Sequence, residues 1–153
     1  MGNEEFSNKK YNMNLDFSVS LGPAYTKWMK SLKDQKILAN KCSKCGREFV
    51  PAKPFCEYCF ETADEWVETD GVGIVESFTV GYADFLNFPE TPYVIGVIRV
   101  GNSAVSMIHW IAGFDYDKPE DIPDKIQIGM KVKAVWAEDR TGDILDIKYF
   151  EPV

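Results

Sequence analysis

Residues 40–60 read "NKCSKCGREFVPAKPFCEYCF" and hold all four cysteines of the chain. The thiols fall in two pairs, Cys42-x2-Cys45 and Cys56-x2-Cys59, with ten residues between the pairs. Each pair can fold into a tight knuckle that offers two thiolates from one side, and Gly46 gives the backbone the freedom needed just after the first. Two knuckles on adjoining hairpin turns complete a tetrahedral four-sulfur site, with metal–sulfur distances of about 2.3 Å for zinc. No cysteine is left over, so the spacing predicts one structural zinc ion on Cys42, Cys45, Cys56 and Cys59, closed to water and substrate. Metal binding would supply folding energy to a ribbon too small to have its own core. Iron in a rubredoxin-like site would use the same sulfurs, and spacing does not separate the two. A redox dithiol accounts for one pair and leaves the other unexplained.

Ahead of the ribbon, "GPAYTKWMKSLKDQKIL" places Tyr25, Trp28, Met29 and Leu32 at i, i+3, i+4 and i+7, with lysines on the other face. That is an amphipathic helix whose apolar stripe either packs against its own protein or docks on a partner. After the ribbon come five apolar segments bounded by turn residues: "GVGIVESFTVGY", "PYVIGVIRV", "SAVSMIHWIA", "KVKAVWAE" and "ILDIKYF". Gly101-Asn102 reads as a two-residue hairpin turn between the second and third, and "GFDYDKPEDIPDKIQIG" as an irregular stretch between the third and fourth. Five short strands of this kind predict a small Greek-key barrel of the OB type. The fold expected is mainly β: an N-terminal extension over 1–21, the amphipathic helix over 22–39, the zinc ribbon over 40–66 and the barrel over 67–153. No internal repeat stands out.

The connection "YADFLNFPETPY" between the first two strands is unusually aromatic for a loop. Tyr82, Phe85 and Phe88 there, with Trp28 on the helix, are candidates for contact with an acyl group or a partner; closing the barrel end is the plainer role.

The chain of 153 residues is 45% hydrophobic and 27% charged, as folded proteins are. Its start lacks the basic flank and apolar run of a signal peptide, and no window approaches a membrane span, which places it in the cytoplasm with reduced thiols. The formal net charge of -7 is unevenly spread: Lys27 to Lys53 holds eight Lys or Arg against two acids, and Pro54 onward seven against nineteen. A nucleic-acid groove would need cations among the barrel's aromatics, yet between Gly71 and Ala112 the sole Lys or Arg is Arg99. Catalysis lacks its parts as well. The cysteines are committed to metal, His109 on a predicted strand reads as structural, and no GxSxG, phosphate-binding glycine loop or HExxH occurs.

The order of helix, four-cysteine ribbon and OB-like barrel resembles the acyl-CoA-associated OB-fold family with a rubredoxin-like zinc ribbon, long catalogued as a domain of unknown function. The resemblance runs from about Ala24 to Val153 and rests on "KILANKCSKCGREFVPAKPFCEYC", "EWVETDGVGIVESFTV", "PYVIGVIRV" and "IGMKVKAVW". It implies a non-catalytic accessory subunit of a thiolase or related condensing enzyme, assisting the binding of a coenzyme A thioester in a hetero-oligomer. One branch of the family pairs with thiolases of aromatic-compound degradation, including benzoylsuccinyl-CoA thiolase. On that reading Lys44, Arg47 and Lys53 are candidates to meet coenzyme A phosphates, and the aromatic loop points toward a bulky acyl group. A nucleic-acid-binding zinc-ribbon/OB module and a rubredoxin-like electron carrier are the alternatives.

Overall fold

The amphipathic stripe forms α1, Gly22–Lys33, in the computed structural model, which describes residues 15–83 and 90–153. Pro23 starts the helix and Lys30 and Lys33 sit in its last turn, where cations suit the helix dipole. Trp28 and Leu32 are fully buried, with Tyr25 and Met29 packed beside them. The helix stops at Lys33, short of residue 39: Gln35 turns the chain at a φ of 58°, and Leu38–Lys41 is already strand β1.

In the ribbon, β1 lies between β2 (Glu48–Phe49) and β3 (Glu65–Glu68), antiparallel to both. Buried Asn40 ties it together. Its amide donates to the carbonyls of Lys53 and Ala63, at 2.5 and 2.7 Å, and its side-chain oxygen accepts from the Lys53 N–H at 3.0 Å. One side chain therefore holds the approach to the second knuckle and the exit from it against the central strand.

The five apolar segments form β4 (Val72–Gly81), β5 (Tyr93–Val100), β6 (Met107–Ile111), β7 (Lys131–Trp136) and β8 (Ile147–Pro152). They close a barrel in the order β4-β5-β6-β8-β7, with a parallel β6–β8 contact at Ile111 and Phe150, so the predicted OB-like architecture is the one found. Along β5 every second residue is buried, the period of a strand with one face on a core. Closure removes the sheet edges that would otherwise invite pairing.

Two local expectations need correction. Gly101-Asn102 is not a two-residue hairpin: β5 ends at Val100 and β6 begins at Met107. The intervening loop reaches to the ribbon instead, where the buried Ser103 hydroxyl accepts from the Val50 N–H at 2.9 Å and the Ala104 N–H donates to the Glu48 carbonyl at 2.8 Å. A turn that would have served the hairpin serves the joint between ribbon and barrel. The stretch after β6 is also not wholly irregular, since it contains α2, Ile122–Lys125. Ile122 and Ile126, one helical turn apart, are buried in the barrel's core.

That core is shared. Trp28 and Leu32 of α1, and Ala39, Val50 and Ala52 of the ribbon, belong to one buried cluster with Ile98, Val100 and Phe150 of the barrel. A smaller cluster of Cys42, Phe49, Cys56 and Ala63 lies under the knuckles. Among the described residues no helix is long and apolar enough to cross a membrane.

Candidate metal centre and barrel cleft

The two knuckles are copies of one design, fourteen positions apart from Cys42 to Cys56. Lys41 pairs with Glu48 across the first and Phe55 with Thr62 across the second. In the first, the Cys42 N–H donates to the Arg47 carbonyl and the Gly46 N–H to the Cys42 carbonyl, both at 2.9 Å. In the second, the Cys56 N–H donates to Glu61 at 2.8 Å and the Phe60 N–H to Cys56 at 2.9 Å. The residue after each second cysteine has a left-handed backbone, φ 73° at Gly46 and 59° at Phe60. That conformation is free for glycine and costs about 1–2 kcal/mol for a residue with a Cβ.

The knuckles face each other about an approximate twofold axis, and the sulfurs follow it: Cys42 lies 3.4 Å from Cys59 and Cys45 3.6 Å from Cys56. All four sulfurs are within 4.8 Å of one another and none forms a disulfide. A zinc tetrahedron with bonds of about 2.3 Å has sulfurs about 3.8 Å apart, so the constellation fits the ion. Cys42 and Cys56 are buried and Cys45 is exposed. The Arg47 backbone N–H, and next its side chain, pull the Cys45 thiol down to about 6, while burial pushes Cys59 up. With four protein ligands and no fifth position, such a metal holds structure.

The same axis relates the contacts made by two of the cations expected to meet coenzyme A. Lys44 bonds Glu61 of the other knuckle at 3.2 Å, and the twofold mate of that contact is Arg47 on Tyr58, with the guanidinium 4.1 Å from the ring centre. Lys53 pairs with Glu57. All three have partners within the ribbon. These are exposed contacts of the kind that contribute little to stability and yield readily to a competing ligand.

On the barrel, a cleft of about 430 Å³ opens between β5, β6, the chain that follows β6, and β8. Its walls include Tyr93, Trp110, Phe114, Tyr116 and Tyr149, with Lys148 at hand. Tyr93 and Trp110 meet edge to face at 5.5 Å. Gly81 makes room for this, because a Cβ there would collide with the Tyr93 ring. The sequence reading reached only Tyr93, the last aromatic of the connection "YADFLNFPETPY", and missed the others: they come from segments read as core strands or irregular chain, and only barrel closure brings them together. Of the expected contact residues, Tyr82 is exposed and donates its hydroxyl to the Pro119 carbonyl at 3.1 Å. Phe85 and Phe88 lie outside the described residues. Trp28 must be corrected: it is sealed in the chain's own core, because α1 turns its apolar stripe inward.

His109 is buried, and its pKa falls below the usual 6.5 chiefly because burial penalises the charged ring. Nδ1 accepts from the Trp110 N–H at 2.9 Å, which leaves Nε2–H to donate to the Ile144 carbonyl at 3.3 Å, a neutral structural imidazole. Above pH 6.5 the residue costs nothing. Below it the unfolded chain takes a proton that the native chain declines, so stability falls until the native pKa is reached, by at most about 1.4 kcal/mol per pH unit. Melting curves at saturating zinc should therefore show the wild type losing more Tm than His109→Gln between pH 6.5 and 5.5. Parallel losses would contradict this.

Residues 29–65 match the model of the ChsH2 rubredoxin-like zinc ribbon domain, and residues 66–137 match the ChsH2 C-terminal OB-fold domain. The chain carries both ChsH2 domains, the zinc ribbon and then the OB-fold. The first match holds all four cysteines, and the second runs through β7. Two solved structures share this ChsH2-type architecture. A DUF35-family protein of unknown function from Sulfolobus solfataricus is 29% identical, with a TM-score of 0.61 over 86% of this chain and 84% of that one. The Ltp2-ChsH2(DUF35) aldolase is 26% identical, with a TM-score of 0.59 over 82% and 91%. A curated relative from Thermomonospora curvata, described as a "probable enoyl-CoA hydratase alpha subunit", is 29% identical over 113 residues. These are 72% of this chain and 32% of that protein, so the ChsH2-type chain spans about a third of its relative.

Proposed function

We propose that this chain is a non-catalytic accessory subunit of an acyl-CoA enzyme of the thiolase or aldolase class, and that its barrel cleft receives the acyl group while the partner performs the chemistry. The observation that carries this is the aromatic cleft of about 430 Å³, a volume typical of small-molecule sites, on a chain whose thiols and histidine are otherwise engaged. The thiols are gathered at the metal centre and the single histidine is a buried hydrogen-bonding group. A carbon–carbon bond-making or bond-breaking step needs an activated nucleophile or base in reach of the thioester, and here that must come from another chain. The relative named as an enoyl-CoA hydratase subunit supports the acyl-CoA setting, and the one named as an aldolase supports an enzyme partner that works at carbon–carbon bonds.

The ribbon's cations have a place in this reading. Phosphate groups of coenzyme A could displace Glu61 from Lys44 and Glu57 from Lys53, exchanging one exposed ion pair for another. Nucleic acid fits less well, since Arg99, the single Lys or Arg from Gly71 to Ala112, is held by Glu76 at 2.7 Å.

Ala112 lines the cleft, and Ala112→Phe would fill part of it. In the complex, kcat/KM for a bulky or aromatic acyl thioester should fall at least tenfold, about 1.4 kcal/mol, while acetyl-CoA is little affected. Equal changes for both substrates would place the acyl group elsewhere.

A further inference from the structure

Phe60 is the residue for which folding has no use. Its twin position in the first knuckle is Gly46, which adopts the same left-handed conformation without strain. At position 60 the chain instead carries a large aromatic side chain in that conformation and leaves it 80% exposed to water. Phe55 and Tyr58 on the same knuckle are 49% and 57% exposed. Three aromatic residues within six positions thus stand out from the ribbon, the last at a conformational cost.

We infer that this second knuckle is a protein-docking tip whose anchor, Phe60, inserts into an apolar pocket of the partner enzyme. Charge selects a protein over a nucleic-acid strand. Glu57 and Glu61 lie on the knuckle itself, where they neutralise Lys53 and Lys44, and Arg47 is laid over Tyr58. An aromatic centre within a self-neutralised ring of charges matches the anatomy of a protein interface, in which a few buried aromatics carry the energy and the polar rim excludes water. An extended nucleic-acid strand would run its phosphates past those carboxylates. Strain held at an exposed position is the pattern of a functional site rather than of a core.

The inference rests on the accessory-subunit reading and names the surface through which the subunit binds. It is tested by Phe60→Gly, which gives the second knuckle the residue already used in the first. The complex is purified from native cells and separated, and the full-length, zinc-loaded chain is titrated back onto the enzyme. Phe60→Gly should raise Kd at least tenfold while leaving zinc content intact and Tm unchanged or about 1–4 °C higher. A variant better folded and worse bound is the expected signature. Wild-type affinity in Phe60→Gly would overturn the docking tip and leave the subunit reading standing. A lower Tm with loss of zinc would overturn it too, by making Phe60 a structural residue. A wild-type chain that fails to rebind the enzyme would remove both readings. Phe55→Ser should give a smaller loss, and Ile128→Ser, exposed beyond α2, none.

Discussion

Removal of zinc is expected to lower the melting temperature by about 10 °C or more and to loosen the whole molecule rather than the ribbon alone. Structural zinc contributes apparent binding energies of about 10–16 kcal/mol in small zinc-finger peptides. A loss of even a third of that, at about 2–4 °C per kcal/mol for a chain of this size, gives a shift of this order. The damage spreads because the knuckles rest on the Cys42, Phe49, Cys56 and Ala63 cluster, and the chain beneath them carries Ala39 of β1 and Val50 and Ala52 beyond β2 into the barrel's own core. Burial also ranks the variants. Cys42→Ser and Cys56→Ser should cost more than Cys45→Ser, whose sulfur is exposed and leaves no buried gap. Calorimetry of the metal-free protein and of each variant, with metal analysis giving one zinc per chain, checks the ranking. A metal-free chain that melts within about 2 °C of the native one would contradict a structural ion. A red, redox-active iron protein from native cells would turn the account toward electron transfer.

How much of this was legible beforehand follows the range of the interactions involved. Cysteine spacing and strand alternation are local, so the ribbon and all five barrel strands could be read from "CSKCG", "FCEYC" and the apolar runs. The repeat of the knuckle could not. "KCSKCGRE" and "FCEYCFET" share only their cysteines at matching positions, and their likeness lies in backbone conformation and hydrogen bonding. Gly101-Asn102 misled because turn chemistry is local while Ser103's partner, Val50, is fifty-three residues away. Trp28 had two readings open, and the choice depended on which surface the helix would find. The cleft escaped because Tyr93, Trp110 and Tyr149 stand on three different strands, and their shared wall exists only once β6 meets β8.

The second large effect concerns the partner. An enzyme whose acyl pocket is completed by another chain should retain its nucleophile and base without that chain, yet lose the means to hold the thioester in line with them. Orientation of this kind contributes several kcal/mol to a reaction barrier, so its loss reaches kcat as well as KM. Contacts remote from the reacting bond behave differently. Replacing Arg47 or Lys53 by a neutral residue should raise KM more than it lowers kcat, since such contacts bind ground and transition states alike. That effect should fade at high salt.

The decisive measurement is steady-state turnover of the purified partner enzyme on its acyl-CoA, with and without one equivalent of this zinc-loaded chain. The account predicts no turnover by the chain alone and at least a hundredfold gain in the partner's kcat/KM when the chain is added, about 2.7 kcal/mol of transition-state stabilisation. Identical kcat and KM in the two assays would contradict it.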